Sequence, residues 1–235
     1  MSTTRVGEVL YSNPLAGPND VAGWRMEGDG AVSFPCGRMR LEGTRDPKEG
    51  QKANIVFWCP AEFPDHIRIS WDFYPIREPG LCILFFAARG RNGESVLDPA
   101  LAPRSGPYNQ YHNGDINALH ISYFRRKHPD ERAFTTCNLR KSRGFHLVAQ
   151  GADPIPSVPD ALPPYRLALT KDGPAVRLAI AWGGQPALTV LRWDDDGASF
   201  GPLLTGGWIG FRQMAPMIAE YANLEIRRLE KDSAP

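Results

Sequence analysis

The sequence predicts an all-β fold, a two-sheet antiparallel β-sandwich of the jelly-roll type, on three observations. Runs rich in β-branched and aromatic residues alternate with polar positions at a period of two, and no stretch sustains a helical period. Turn chemistry separates most of these runs. The 23 glycines and 22 prolines in 235 residues form no linker-like run, so they read as turns between short strands within one jelly-roll domain spanning residues 1–235.

The first strands are expected at Ala31 to Phe34 and Met39 to Glu42, then Ala53 to Cys59 and His66 to Tyr74. In the last of these, Ile69, Trp71 and Phe73 alternate with Ser70, Asp72 and Tyr74, which gives one apolar face. Leu81 to Ala88 is apolar on both faces and suits a central strand. His120 to Arg125 and Arg132 to Leu139 follow, then Tyr165 to Thr170, Ala175 to Trp182, Ala187 to Arg192, Gly207 to Gln213 and Tyr221 to Leu229. Pro60 and Pro64, Pro75 and Pro79, Asn92-Gly93, Asn113-Gly114, Asp172-Gly173, Gly183-Gly184 and Gly206-Gly207 punctuate them. A short strand-like piece is also read around Phe145 to Leu147.

Composition excludes several classes of function. Hydrophobic content of 42% and charged content of 23% are those of a globular protein, and the formal net charge is only +1. The amino terminus has no basic start followed by an apolar core, and no apolar stretch approaches a membrane span, so a cytoplasmic location is expected. Cys36, Cys59, Cys82 and Cys137 form no CxxC pair and read as reduced core thiols in preference to a disulfide pair. No glycine-rich phosphate loop joins a strand to a helix, and near-neutrality argues against nucleic acid. No cofactor is expected. Asp194-Asp195-Asp196-Gly197 reads as a solvated hairpin turn in preference to a calcium loop, and no metal ligands are assigned.

Against this bland background one segment stands out. Between Tyr108 and Asp153 lie four of the five histidines together with Arg125, Arg126, Arg132, Arg140, Lys141 and Arg143. Concentrated positive charge on a nearly neutral chain makes a focusing field suited to an anionic ligand. Strict alternation in the strand would set His120, Ser122, Phe124 and Arg126 on one face and Ile121, Tyr123 and Arg125 on the other.

Four stretches carry a family resemblance: GLCILFFAARG at 80–90, YNQYHNGDINALHISYFRR at 108–126, TCNLRKSRGFHLVAQGADPIP at 136–156 and GGWIGFRQM at 206–214. On these the sequence resembles the YesU-like family, bacterial proteins of unassigned function within the concanavalin A-like lectin and glucanase superfamily. The resemblance implies a curved jelly roll whose concave sheet binds carbohydrate, and an association with breakdown of pectins such as rhamnogalacturonan. The E-x-D-x-E strand motif of the superfamily's glucanases is absent; Glu27 and Asp29 offer two of its terms. Gln110-Tyr111-His112 is similar to the Gln-x-His strand motif of alginate-lyase-like enzymes.

Elimination from a uronate requires a group that neutralises the carboxylate, a base for the α-proton and an acid for the departing oxygen. The segment supplies all three types. Gln110, Arg125, Asn138, Arg140, Lys141 and His146 are the expected substrate binders, with His112 or His120 as base and Tyr123 as acid. Hydrolysis by acids such as Asp72, Asp115 or Asp153, and sugar binding without chemistry, stay open beside the lyase reading. The expected partner is an oligosaccharide, and a homodimer through an exposed sheet edge is compatible with the pattern. The proline-rich loop after Gln150 is expected either to connect strands or to wall the cleft, and a tryptophan or two could stack on a sugar.

Overall fold

The computed structural model describes residues 4–126 and 135–231. Its strands, in chain order, are β1 (Thr4–Asn13), β2 (Arg25–Glu27), β3 (Gly30–Ser33), β4 (Met39–Gly43), β5 (Ile55–Phe63), β6 (Ile67–Arg77) and β7 (Gly80–Gly90). After a short helix, α1 (Asn109–His112), come β8 (Ile116–Arg126), β9 (Thr136–Ser142), β10 (His146–Ala152), β11 (Tyr165–Asp172), β12 (Ala175–Ala181), β13 (Leu188–Asp194), β14 (Gly207–Met214) and β15 (Ile218–Lys231). They form two antiparallel sheets. One runs β13-β12-β11-β6-β15-β4-β3 with β1 added on β15, the other β10-β9-β8-β7-β14-β5-β2.

The main core lies between the sheets. Ile67, Ile69, Trp71 and Phe73 of β6 meet Cys82, Leu84 and Phe86 of β7, Ile121 and Tyr123 of β8, and Ile209 and Phe211 of β14. The rings interlock edge to face, with Trp71 and Phe73 both against Tyr123 at centroid distances of 5.3 and 5.2 Å.

A second apolar cluster sits on the opposite face of the seven-stranded sheet. Val56, Trp58, Phe85, Ala88 and Trp208 are covered there by Val96 and Tyr111 of the 91–115 connection. Burial of each such side chain contributes roughly 1.5–3 kcal/mol. The connection thus roofs part of this outer face and leaves the rest open.

Each strand read from the sequence has its counterpart, though the Arg132 end of one expected strand lies outside the described residues. Two further strands, β1 and β2, were not foreseen. β1 pairs with β15 alone, in a register broken twice, and β2 is three residues long, so neither shows a sustained period. Pro60 and Pro75 lie inside strands instead of ending them. Pro60 falls where the β5–β14 register slips between Trp58 and Glu62, and Pro75 lies beyond the end of the β11 pairing at Phe73. A missing N–H is tolerated at both places. Cys36 also departs from expectation. It is exposed on a turn, whereas Cys59, Cys82 and Cys137 are buried, and all four are free.

Candidate functional site on the outer face of the seven-stranded sheet

A bulge in β8 decides which cation faces outward. Ile121 pairs with Leu84 and Ser122 with Ile83, but Phe124 pairs with Cys82, so β8 carries one extra residue. The alternation reverses there. Phe124 joins Ile121 and Tyr123 in the core, and Arg125 joins Ser122 on the outer face, contrary to the face assignment that strict alternation gives. On β9 the period holds, with Cys137 and Leu139 in the core and Asn138 and Arg140 outward.

The outward residues line a pocket of about 210 Å³. Its walls are Leu81, Ile83, Ser122, Arg125, Asn138 and Arg140 of the sheet, with Tyr108, Phe145 and Met214 at the rim. None of these carries a carboxylate. A volume below the roughly 300–1,000 Å³ of a drug-sized site suits one part of an oligosaccharide, with the remainder outside. A larger depression of about 440 Å³ beside the same roof is lined by Asp29, Arg45, Lys52 and Gln110, but there Arg45 is engaged by Asp29 and Glu49.

Two local features build the rim. The β9–β10 turn places Gly144 at φ 106° and Phe145 at φ 58°, a left-handed conformation that costs a bulky residue of order 1–3 kcal/mol. That turn lays Phe145 over the Arg140 guanidinium at 3.9 Å and against His112 at 4.2 Å. The Gly144 N–H donates to the His112 carbonyl at 2.8 Å, which ties the turn to α1.

Tyr108, just before α1, reaches the centre of the face. Its hydroxyl lies 2.7 Å from His120 Nδ1, and His120 Nε2 lies 2.9 Å from Ser142 Oγ. Burial, with the positive charges of Arg140 and Arg212 and the neighbouring His112, holds the His120 imidazole well below its ordinary value, so the ring is neutral. One ring nitrogen then accepts and the other donates. Burial pushes the Tyr108 phenol up to about 12 against the pull of Arg212, Arg140 and Arg125. Burial also lowers the Arg140 guanidinium, with Arg125 adding to the effect and Tyr108 opposing it. With its amide turned so that both atoms are satisfied, Asn138 accepts from Arg125 Nη1 at 2.8 Å.

Of the residues expected from sequence, Arg125, Asn138 and Arg140 line one pocket, with His120 beside it through Tyr108. His112 lies edge-on to Tyr108 at 5.3 Å, half-buried, and burial lowers its imidazole. Others fall elsewhere. Tyr123 is fully buried between the sheets, so it cannot reach a sugar on the outer face; Tyr108 is the tyrosine there. Lys141 has the opposite strand parity from Arg140 and is buried against Asp195 at 2.6 Å. His146 pairs across from Lys141 and packs on Phe200 at 5.2 Å. Gln110 stands on a helical turn, not a strand, and accepts from the Ser105 N–H at 2.7 Å, away from the pocket.

The acids considered for hydrolysis are engaged elsewhere: Asp72 with Arg166, Asp115 with the Ala102 N–H, and Asp153 with Arg126. Asp153 and Ile155 anchor the proline-rich loop in the interior rather than at the pocket. Trp58 and Trp208 lie under the roof, and no tryptophan lines the pocket. In the Asp194–Asp196 run, Asp194 pairs with Arg177, Asp195 with Lys141, and Asp196 accepts from Ala198 and Ser199. No group of three or more His, Cys, Asp or Glu is placed to hold a metal among the described residues. His128 and Arg132 lie outside the described residues. Sequence reading missed Tyr108, Phe145, Ser142 and Arg212. The signal available for Arg212 was parity, since in GWIGFRQM the apolar Ile209 and Phe211 leave Arg212 on the other face.

The two packed sheets and the open outer face define a galectin-like or lectin-like jelly roll, and comparison with known proteins agrees. A solved Bacillus subtilis protein of unknown function with a galectin-like fold superposes with a TM-score of 0.90 at 53% identity, covering 97% of this chain and 100% of that one. The exoplasmic/lumenal domain of VIP36 in its Ca2+/Man3GlcNAc-bound form shares the fold with a TM-score of 0.60 at 12% identity, covering 95% and 90%. Lectin I-B4 from Griffonia simplicifolia does so at 0.59 and 9%, covering 96% and 98%. Residues 8–226 match the family described as Domain of unknown function (DUF1961). The chain is 54% identical over 222 residues to the Uncharacterized protein YesU of Bacillus subtilis (strain 168), covering 94% of this chain and 96% of that protein. The chain belongs to this YesU-like family. No helix is long and apolar enough to cross a membrane among the described residues.

Proposed function

We propose that the pocket binds the carboxylate-bearing unit of an acidic plant cell-wall oligosaccharide, such as a rhamnogalacturonan fragment, and promotes β-elimination from it. One observation carries this reading: Arg125 and Arg140 line the same pocket as Tyr108 and Asn138, with no carboxylate among the described residues of its walls. A sugar carboxylate there gains charge-assisted hydrogen bonds from the two guanidinium groups.

Neutralising that carboxylate acidifies the adjacent C–H and stabilises the enolate-like charge that forms when the proton leaves. Tyr108 Oη is the atom at the pocket that can relay a proton to His120. It takes the α-proton as its own proton passes to the neutral His120 Nδ1, 2.7 Å away. The C–O bond to the leaving sugar breaks as the C=C bond forms. The departing oxygen takes the proton that Tyr108 received, and His120 returns the other, which restores both groups. Arg140 and Arg125 hold the charge throughout.

The second reading is a lectin-like module that binds the same sugar unchanged. It is favoured by His120, both of whose ring nitrogens already have partners in Tyr108 and Ser142. Incubation with rhamnogalacturonan oligosaccharides separates the two. Elimination yields an unsaturated uronate absorbing at about 235 nm as the α-proton is removed. New reducing ends without that absorbance would mark hydrolysis, and unaltered sugar bound at micromolar strength would mark the lectin.

A further inference from the structure

Arg212 of β14 is a charged side chain that forms no salt bridge with any described residue. It is fully buried, and none of its three guanidinium nitrogens has a hydrogen-bond partner among the described residues. Its guanidinium carbon lies 4.4 Å from the centroid of the Tyr108 ring and 5.1 Å from that of Tyr111. The acid that acts on it is Glu27, and that carboxylate is already held by Arg104 through two hydrogen bonds of 2.6 and 3.2 Å. Such an arrangement is costly, because an unpaired cation out of water loses several kcal/mol of hydration. The same low dielectric lets its field reach well beyond contact distance.

The ring of Tyr108 separates Arg212 from the pocket, so Arg212 is aimed at the site without lining it. Building on the reading of the pocket as a uronate site, we propose that Arg212 is a specificity-determining residue, a buried cation whose field, acting through Tyr108, selects a ligand that carries negative charge. Arg125 and Arg140 supply the contacts. Arg212 supplies a potential that neutral sugars cannot use, while stacking fixes the Tyr108 ring in place.

The field also acts on His120, which Tyr108 faces from the roof, His112 from α1, Arg140 and Ser142 from β9, and Arg212 from β14. Removing the Arg212 charge relieves one of the forces that keep the imidazole neutral. This gives a readout that needs no sugar.

The test compares Arg212→Met, Arg212→Lys and the unaltered chain, with Arg212→Gln in place of the Met variant should that fail to give a native near-UV circular dichroism spectrum. The probes are a rhamnose–galacturonate tetrasaccharide and the same tetrasaccharide with its carboxyl groups reduced to alcohols. The expected result is roughly tenfold weaker binding of the acidic probe by Arg212→Met, little change for the reduced one, and discrimination retained by Arg212→Lys. Equal weakening of both probes, or of neither, overturns the proposal. In parallel, the His120 imidazole is titrated by NMR. Its protonation moves to higher pH in Arg212→Met and not in Arg212→Lys; an unchanged titration overturns the proposal as well. If the unaltered chain binds neither probe, the uronate reading of the pocket fails, and the imidazole titration decides for or against the Arg212 field by itself.

Discussion

Neighbouring cations on the same strands meet opposite fates. Arg126 and Lys141 turn inward and are neutralised at buried carboxylates, Arg126 by Asp153 at 2.8 Å and Lys141 by Asp195 at 2.6 Å. Arg125 and Arg140, one residue away in each case, turn outward to the pocket, and Arg140 has no carboxylate partner among the described residues. A cluster that looks uniform along the chain is therefore two populations, one fastening loops to the sandwich edge and one giving the open face its sign. Strand parity sorts them, regular on β9 and reset by the bulge on β8.

The largest test of this division is to remove an inward cation. Arg126→Ala or Lys141→Ala strands a buried carboxylate and is expected to lower stability by about 3–5 kcal/mol, read as a shift of the urea midpoint. Arg140→Ala should do the reverse. It is expected to weaken the acidic oligosaccharide by about 2 kcal/mol, roughly thirtyfold, in titration calorimetry while the urea midpoint moves little. Equal stability losses in the two classes would erase the distinction.

Acid sharpens the comparison next. The folded-state His120 is held well below the ordinary imidazole value of 6.5, so below that pH the unfolded chain binds a proton that the folded chain refuses. Stability is then constant above about pH 6.5 and falls with decreasing pH by up to about 1.4 kcal/mol per unit until the folded ring itself protonates. His120→Asn should flatten that slope in denaturation curves taken between pH 7 and 5. The smallest effect is expected at Tyr123. Tyr123→Phe should leave sugar turnover unchanged and cost less than about 1 kcal/mol, whereas Tyr108→Phe abolishes turnover by removing the hydroxyl at the pocket. A loss of turnover in Tyr123→Phe would return the catalytic role to the core residue.

The sandwich was legible because its strands alternate and its turns carry glycine, proline and asparagine, which are local signals. The site was legible in composition but only partly in membership. Arg125, Asn138 and Arg140 were named from their density in one segment and meet at one pocket with His120 beside it, but the period of two alone would have turned Arg125 to the other face. Tyr123 and Lys141 were misplaced for a different reason. A tyrosine and a lysine can each face either way, and only the packing of the two sheets and a side-chain ion pair set Tyr123 against Trp71 and Lys141 against Asp195. Arg212 lies more than a hundred residues along the chain from Tyr108, with a sequence context that reads as plain strand, so its meeting with Tyr108 is a product of topology alone.

The hydrogen bond from the Gly144 N–H to the His112 carbonyl makes the hairpin tip and the covering connection one mechanical unit. A ligand pressing on Phe145 would therefore bear, through that link, on the segment that carries Tyr108. Amide exchange at Gly144 would slow in step with ligand uptake, reporting the grip of the site from a position that never touches the sugar.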